Sequence, residues 1–239
     1  MSTLLRPFAL LTACLLLAFG AVACGSDDGD SGSGDSSATA TEEAAATPTQ
    51  DTAAAGECQP VDAPSPKSSK VGKPTEKLDP SKTYVATVKT NCGSFAITLD
   101  VKRAPKTSAS FAHLAQEGFY DDTTFHRIVA GFVIQGGDPR GDGTGGPDYS
   151  VEEAPPSDLQ YTKGVVAMAK TATEPSGTSG SQFYVVTGDD AGLPPEYALV
   201  GEVTEGIDVV EAIGNVQTDP STEQPVDPVV IESVKITES

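Results

Sequence analysis

The chain has 239 residues, and 34 Asp and Glu against 15 Lys and Arg give it a formal charge of −19. That balance excludes charge-driven, nonspecific binding to nucleic acid or to an anionic membrane surface, and leaves proteins or peptides as the expected partners. The length allows one or two domains, but the first third differs in composition from the rest, so the folded part is shorter than the chain.

Residues 1–24 place Arg6 before the apolar run FALLTACLLLAFGAVA, the layout of a secretory signal and too short for a comfortable membrane span. The tetrapeptide Ala21 to Cys24 (AVAC) resembles a bacterial lipobox, which implies Cys24 as the lipidated first residue of the mature protein. Ordinary cleavage near Ala23 with free secretion is the alternative. Gly25 to Gly56 holds Ser, Gly, Ala, Thr and acids but no aromatic or large aliphatic side chain apart from small apolar ones, so it cannot offset its ordering entropy and reads as a flexible tether. Residues 25–82 as a whole are expected to be this acidic tether plus an N-terminal extension, and 83–239 the folded domain.

Cys14 and Cys24 belong to the signal, leaving Cys58 and Cys92 as the pair in the mature region. In an exported protein they read as a disulfide joining ECQPVDAP to the turn TNCGSF. Two Cys without nearby His do not make a zinc set, and no metal is expected.

From Thr83 the texture changes. TYVATVKT and FAITLD alternate around the turn NCGS and read as a β-hairpin. APKTSASFAHLAQEG has Pro105 in its first turn, apolar residues at helical spacing and Gly118 as a stop, which predicts a helix. Strands follow in TTFHRIV, GFVIQGG, KGVVAMA, SQFYVVTG, YALVGEV and PVVIESVKITE, with a second short helix at Gly206 to Gly214. Many short strands with Gly and Pro turns and only two helices indicate a mainly β domain, an antiparallel barrel or sandwich.

Two motifs point elsewhere and are set aside. GDGTGG, Gly141 to Gly146, matches a dinucleotide-binding pattern in letters but precedes PDYS rather than a helix, and its acids with Asp138 and Asp148 do not fit an EF-hand loop, which leaves calcium a minor alternative. SGTSGSQF, Ser176 to Phe183, would need a His and a carboxylate to act as a serine hydrolase. His113 falls among Phe111 and Leu114 on the helix, and strand alternation sends His126 to the face opposite Arg127.

The informative stretch is FHRIVAGFVIQGGD, Phe125 to Asp138, where an Arg and a Gln interrupt a run suited to a buried sheet. A guanidinium beside buried apolar groups is costly without compensation, which makes Arg127 a candidate for chemistry. Its alternative is an arginine satisfied by backbone carbonyls in a sheet wall. Together with GTGG, VVAMAK, GSQFYV and LVGEV in this order, the stretch resembles the cyclophilin family of peptidyl-prolyl isomerases, from about Thr83 to the C-terminus.

The resemblance implies a closed eight-stranded antiparallel barrel capped by two helices. It implies Arg127 as the catalytic residue, with Phe132, Val133, Leu193 and Tyr184 lining a proline pocket and Gln135 and Gln182 holding substrate and arginine. Ala169, Lys170 and Thr171 match a segment that pairs with substrate backbone, and Gly143 lies in the adjoining glycine-rich wall. The sequence departs from the family at Tyr197 (usually His), Tyr184 (usually Phe), Val133 (often Met), Lys170 (usually Asn) and Gly192 (often Trp), which puts cyclosporin affinity and sequence preference in doubt. The implied reaction needs no cofactor. Its substrates would be unfolded or partly folded exported proteins containing proline, and the protein a monomer anchored through Cys24 on the extracytoplasmic face of a bacterial cell membrane. A noncatalytic proline-binding module or holdase using the same pocket is the second reading.

Overall fold

The computed structural model describes residues 57–239 apart from Ser69. Residues 1–56, where the sequence leads one to expect the signal, the lipidated Cys24 and the tether, lie outside the described residues.

The hairpin forms as its alternation predicts, with β1 (Tyr84–Thr90) and β2 (Gly93–Leu99) antiparallel around Asn91 and Cys92. Helix α1 (Pro105–Gln116) starts on Pro105 and has no side-chain cap of its own. Its free N–H groups are met from 46 residues away, where the Glu153 carboxylate accepts from Thr107 N at 2.8 Å and from Lys106 N at 3.1 Å. An anion here also faces the positive end of the helix dipole.

The remaining elements are β3 (Thr123–Thr124), β4 (Arg127–Val129), β5 (Val133–Gly136), β6 (Val151–Glu152), β7 (Val165–Met168), β8 (Thr178–Ser179), β9 (Phe183–Val186), β10 (Leu199–Glu205), α2 (Ile207–Gly214) and β11 (Val230–Glu238). Nine strands make one curled antiparallel sheet in the order β3-β11-β1-β2-β10-β7-β9-β5-β4, and β6 pairs with β8. Nine replace the expected eight because TTFHRIV is broken at Phe125 and His126. Its first half pairs with β11 and its second with β5, so the two ends of the sheet order are neighbours in the chain.

Strands β5, β7 and β9 are buried almost throughout, and the pleat divides their side chains between two clusters. Ile134, Val166, Met168, Phe183 and Val185 point to the main core, with Phe95, Phe111, Tyr120 and Phe125. Val133, Val165, Ala167, Tyr184 and Val186 point the other way, with Tyr161 and Leu199. Period-two alternation therefore gives these strands two apolar faces rather than one. Each fully buried Ile, Val or Phe contributes roughly 1.5–3 kcal/mol.

The described residues of 57–82 contain no helix or strand, yet they are fastened to the domain. Cys58 is joined to Cys92 as a disulfide, and Val71 and Leu78 pack against the core. Asn91 is the joint: its Nδ2 donates to Gln59 O at 2.8 Å and Pro228 O at 3.1 Å, and its Oδ1 accepts from Val230 N at 2.8 Å. Farther on, Lys67 N donates to Pro139 O at 2.9 Å, and His113 Nε2 meets Gly72 O at 2.9 Å.

The Cys58–Cys92 bond closes a loop with a separation of 34 residues. Opening such a loop in the unfolded chain corresponds to about 3–4 kcal/mol. The double variant Cys58→Ser/Cys92→Ser should lose about that much stability in urea denaturation; an unchanged midpoint would show that the bond adds nothing.

His126 faces inward and is 7% exposed. Burial holds its pKa below the ordinary histidine value, against the opposing pull of Asp138 and Asp142. The unfolded chain then binds a proton at about pH 6.5 while the folded state resists it, so stability is full above that pH and falls as pH drops towards the folded pKa. Melting temperatures between pH 7.5 and 5 should fall for the parent and fall less for His126→Leu. Equal slopes would remove His126 as the cause.

Candidate active site

Backbone register brings the site together. Arg127 pairs with Gln135, Gln135 with Tyr184, and Tyr184 with Ala167, one row across β4, β5, β9 and β7. The neighbouring row, Ile128, Ile134, Val185 and Val166, is at most 1% exposed and fills the core. Adjacent rows face opposite sides of a sheet. Burying the second row thus forces the first one outwards, which is why an Arg and a Gln stand in an apolar run.

On the outward side lies a cavity of about 170 Å³ lined by Arg127, Phe132, Val133, Gln135, Ala169, Lys170, Tyr184, Leu193 and Tyr197. All nine are residues singled out from the sequence. The other three, Gly143, Thr171 and Gln182, line an adjoining trough of about 670 Å³ that shares Gln135, Ala169 and Lys170 with the first. Tyr184 and Tyr197 give the smaller cavity an aromatic wall, and Tyr161 packs against both: the three rings lie 5.7–6.3 Å apart, the Tyr197 ring edge-on to both others. Tyr161, which nothing in QYTKG marks for the site, fixes Tyr197 by donating to its carbonyl at 2.7 Å and accepting from its N–H at 2.9 Å. Burial pushes the Tyr161 phenol up to about 12, so it stays a donor at neutral pH.

A polar relay crosses the two cavities. Arg127 Nη1 is 3.5 Å from Gln135 Oε1, Gln135 Nε2 donates to Gln182 Oε1 at 3.1 Å, and Gln182 Nε2 donates to the carbonyls of Gly143 and Gly145 at 2.9 and 3.0 Å. The glycine-rich loop at the end of this relay is wound around the buried Asp138 carboxylate, which accepts from the N–H groups of Arg140, Asp142 and Gly143. A Cβ on Gly145 would stand 2.0 Å from Asp138 Oδ1, so only glycine fits there. GDGTGG is thus a wall built around a carboxylate, with loop N–H groups turned inward to Asp138.

Lys170 bends back across the rim. Its side chain is 5% exposed, its Nζ lies 3.6 Å from Glu196 Oε2 and 5.4 Å from the Tyr197 ring centroid. The N–H and hydroxyl of Thr171 are both taken by Glu174 Oε2, at 2.6 and 2.9 Å. Gly192 has open space around it and a positive φ of 62°.

One polar residue at Arg127 escaped the sequence reading. Glu223 Oε2 accepts from Arg127 Nε at 2.6 Å. With side chains 34% and 43% exposed, the pair contributes at most about 1 kcal/mol to folding. TDPSTEQP signals a turn, and nothing in it signals that this turn reaches β4. Among the described residues no group of His, Cys, Asp and Glu is arranged to hold a metal ion.

Residues 85–236 match the family described as cyclophilin type peptidyl-prolyl cis-trans isomerase. The chain is 40% identical over 169 residues to peptidyl-prolyl cis-trans isomerase B of Streptomyces anulatus, covering 63% of this chain and 95% of that one. It is 41% identical over 175 residues to peptidyl-prolyl cis-trans isomerase A of Mycobacterium tuberculosis, covering 66% and 94%. A crystal structure of a Cryptosporidium parvum cyclophilin type peptidyl-prolyl cis-trans isomerase in the presence of the dipeptide Ala-Pro superposes with a TM-score of 0.60 at 30% identity, over 64% of this chain and 98% of that one. With the family model matched over most of the described residues and relatives about 40% identical over nearly their whole length, the chain belongs to the cyclophilin-type peptidyl-prolyl cis-trans isomerase family.

Proposed function

We propose that the protein accelerates rotation about X-Pro bonds in exported proteins, with Arg127 donating a hydrogen bond to the prolyl nitrogen while the proline ring occupies the cavity of Phe132, Val133, Tyr184 and Leu193. The observation that carries this reading is a guanidinium on the wall of a small apolar and aromatic cavity. Rotation breaks amide resonance, a barrier of about 18–20 kcal/mol. In the twisted state the nitrogen regains its lone pair and can accept a hydrogen bond, which the planar amide cannot. A permanently charged donor at that nitrogen therefore favours the transition state over both ground states. No covalent intermediate is needed.

A charge-assisted hydrogen bond contributes about 1.5–3 kcal/mol, or roughly ten- to a hundred-fold in rate. Further acceleration comes from holding the ring while Gln135 and Gln182 orient the peptide. The site leaves room for a chain to run from the proline cavity into the trough beside Gly143 and Lys170, which suits an extended segment of an unfolded protein.

The N-terminal sequence supports export and attachment of the mature chain to the outer face of a bacterial cytoplasmic membrane through Cys24, with residues 25–56 as spacer. Exported chains fold there, and X-Pro isomerisation is slow enough to limit them.

Two outcomes test these readings. Measured by NMR exchange on an X-Pro peptide, Arg127→Ala should lose roughly ten- to a hundred-fold in rate while remaining folded. Arg127→Lys, which keeps charge but not the planar fork, should recover only part of it. Peptide binding with no acceleration by the parent would replace the isomerase reading with a proline-binding one. In fractionated bacteria, the full chain should sediment with membranes and Cys24→Ser should not; equal distribution of both would remove the lipid anchor.

A further inference from the structure

We propose that Glu223 is the positioning residue for Arg127: it fixes the plane of the guanidinium so that the unspent N–H groups face the proline cavity. The proposal rests on the reading of Arg127 as donor to the prolyl nitrogen. Two bonds fasten Glu223 along the outer edge of β4. Its carbonyl accepts from Ile128 N at 2.8 Å, and its Oε2 accepts from Arg127 Nε at 2.6 Å. One residue thus takes a backbone group of the inward-facing Ile128 and the side chain of the outward-facing Arg127.

The loop that presents Glu223 is well braced. Asp219 Oδ1 accepts from Ser221 N at 2.7 Å and Thr222 N at 3.2 Å, Glu223 N donates to Asp219 O at 2.8 Å, and Asp219 N donates to Gln224 O at 2.9 Å. Val226 N to Gln217 O, at 2.9 Å, closes its base. Glu223 itself has a φ of +60°, one of two non-glycine residues with positive φ among the described residues. Side chains seldom adopt that region, and where they do the surrounding structure holds them there for a reason.

The chemistry follows from the shape of the guanidinium, a rigid plane with five N–H donors. Glu223 takes the Nε donor, Gln135 lies within 3.5 Å of Nη1, and Nη2 has no hydrogen-bond partner among the described residues. Nε and Nη1 fix the plane from two sides, and the donors left over belong to a side chain that lines the cavity. Without Glu223 a third-exposed arginine is free to change rotamer, and its donors are aimed at the nitrogen for only part of the time. Orientation and charge oppose each other here, since a neighbouring anion also weakens the field of the cation. Glutamine at this position separates them, because it keeps an acceptor for Nε and drops the charge.

The test measures catalysed exchange of an X-Pro peptide by the full chain, in the parent, Glu223→Ala, Glu223→Gln, Arg127→Ala and the Arg127→Ala/Glu223→Ala double variant. The expected result is a fall in kcat of about ten-fold for Glu223→Ala with KM within about two-fold, and recovery of most of that loss in Glu223→Gln. The double variant should be no slower than Arg127→Ala alone. In 15N spectra the Arg127 Nε–Hε signal should move towards that of a free arginine in Glu223→Ala, while the Ile128 amide stays in place and reports an intact loop. If the Ile128 amide is lost, Glu223→Gln, which keeps the side chain's length and acceptor, decides. A parent-like or faster rate for Glu223→Ala overturns the proposal and leaves the role of Arg127 standing, as does a Gln variant as slow as Ala. A parent-like rate for Arg127→Ala removes the donor reading, and the positioning role with it.

Discussion

Because Arg127 pairs with Gln135, Gln135 with Tyr184 and Tyr184 with Ala167, the side chains that meet at the cavity are those the pleat sends away from the core. The same register sends Ile128, Ile134, Val185 and Val166 inwards. A slip of one residue in β4 and β5 would bury a guanidinium and an amide and bring Ile128 and Ile134 to the half-exposed face. The core therefore enforces the geometry of the site, and loop chemistry has only to complete it. Both Arg127 and Gln135 stand on strands, so their backbones are held by ladder hydrogen bonds on rigid elements.

The polar groups form one connected path rather than separate contacts. From Arg127 it runs through Gln135 and Gln182 to the carbonyls of Gly143 and Gly145, and the loop bearing those carbonyls is pinned by the N–H groups that Asp138 gathers. Each member is bonded to the next, which lets a half-buried polar network rigidify a site. Lys170 is engaged differently, by Glu196 and the Tyr197 ring, so the second cation of the cavity wall is held to the rim rather than to the relay.

Much of this was legible in the sequence for identifiable reasons. Alternation in TYVATVKT and FAITLD, Pro105 at a helix start and the Arg and Gln in FHRIVAGFVIQGG are local signals, and the structure keeps each of them. The split of TTFHRIV was not legible, because a change of strand partner at Phe125 and His126 depends on β11, about a hundred residues downstream. Glu153 at the start of α1 and Glu223 beside Arg127 were hidden for the same reason. Both are acids in loops that act on a partner 46 and 96 residues away, and composition says nothing about where such loops return. Tyr161 differs again: its hydroxyl serves the backbone of Tyr197, a role that any nearby phenol could fill and no pattern announces.

The disulfide has a mechanical meaning as well. Residues 59–91 lie inside a covalent loop closed by Cys58 and Cys92, so tension arriving from upstream of Cys58 bypasses them and enters the molecule at the turn between β1 and β2. That turn sits in the middle of the sheet order, with β11 on one side of the hairpin and β10 on the other. The load is then shared by ladders in shear on both flanks, whereas without the bond the same pull would first peel the extension from its few hydrogen bonds. Arg127 stands on β4, an end strand of the sheet order, and so lies outside the hairpin that takes the load first.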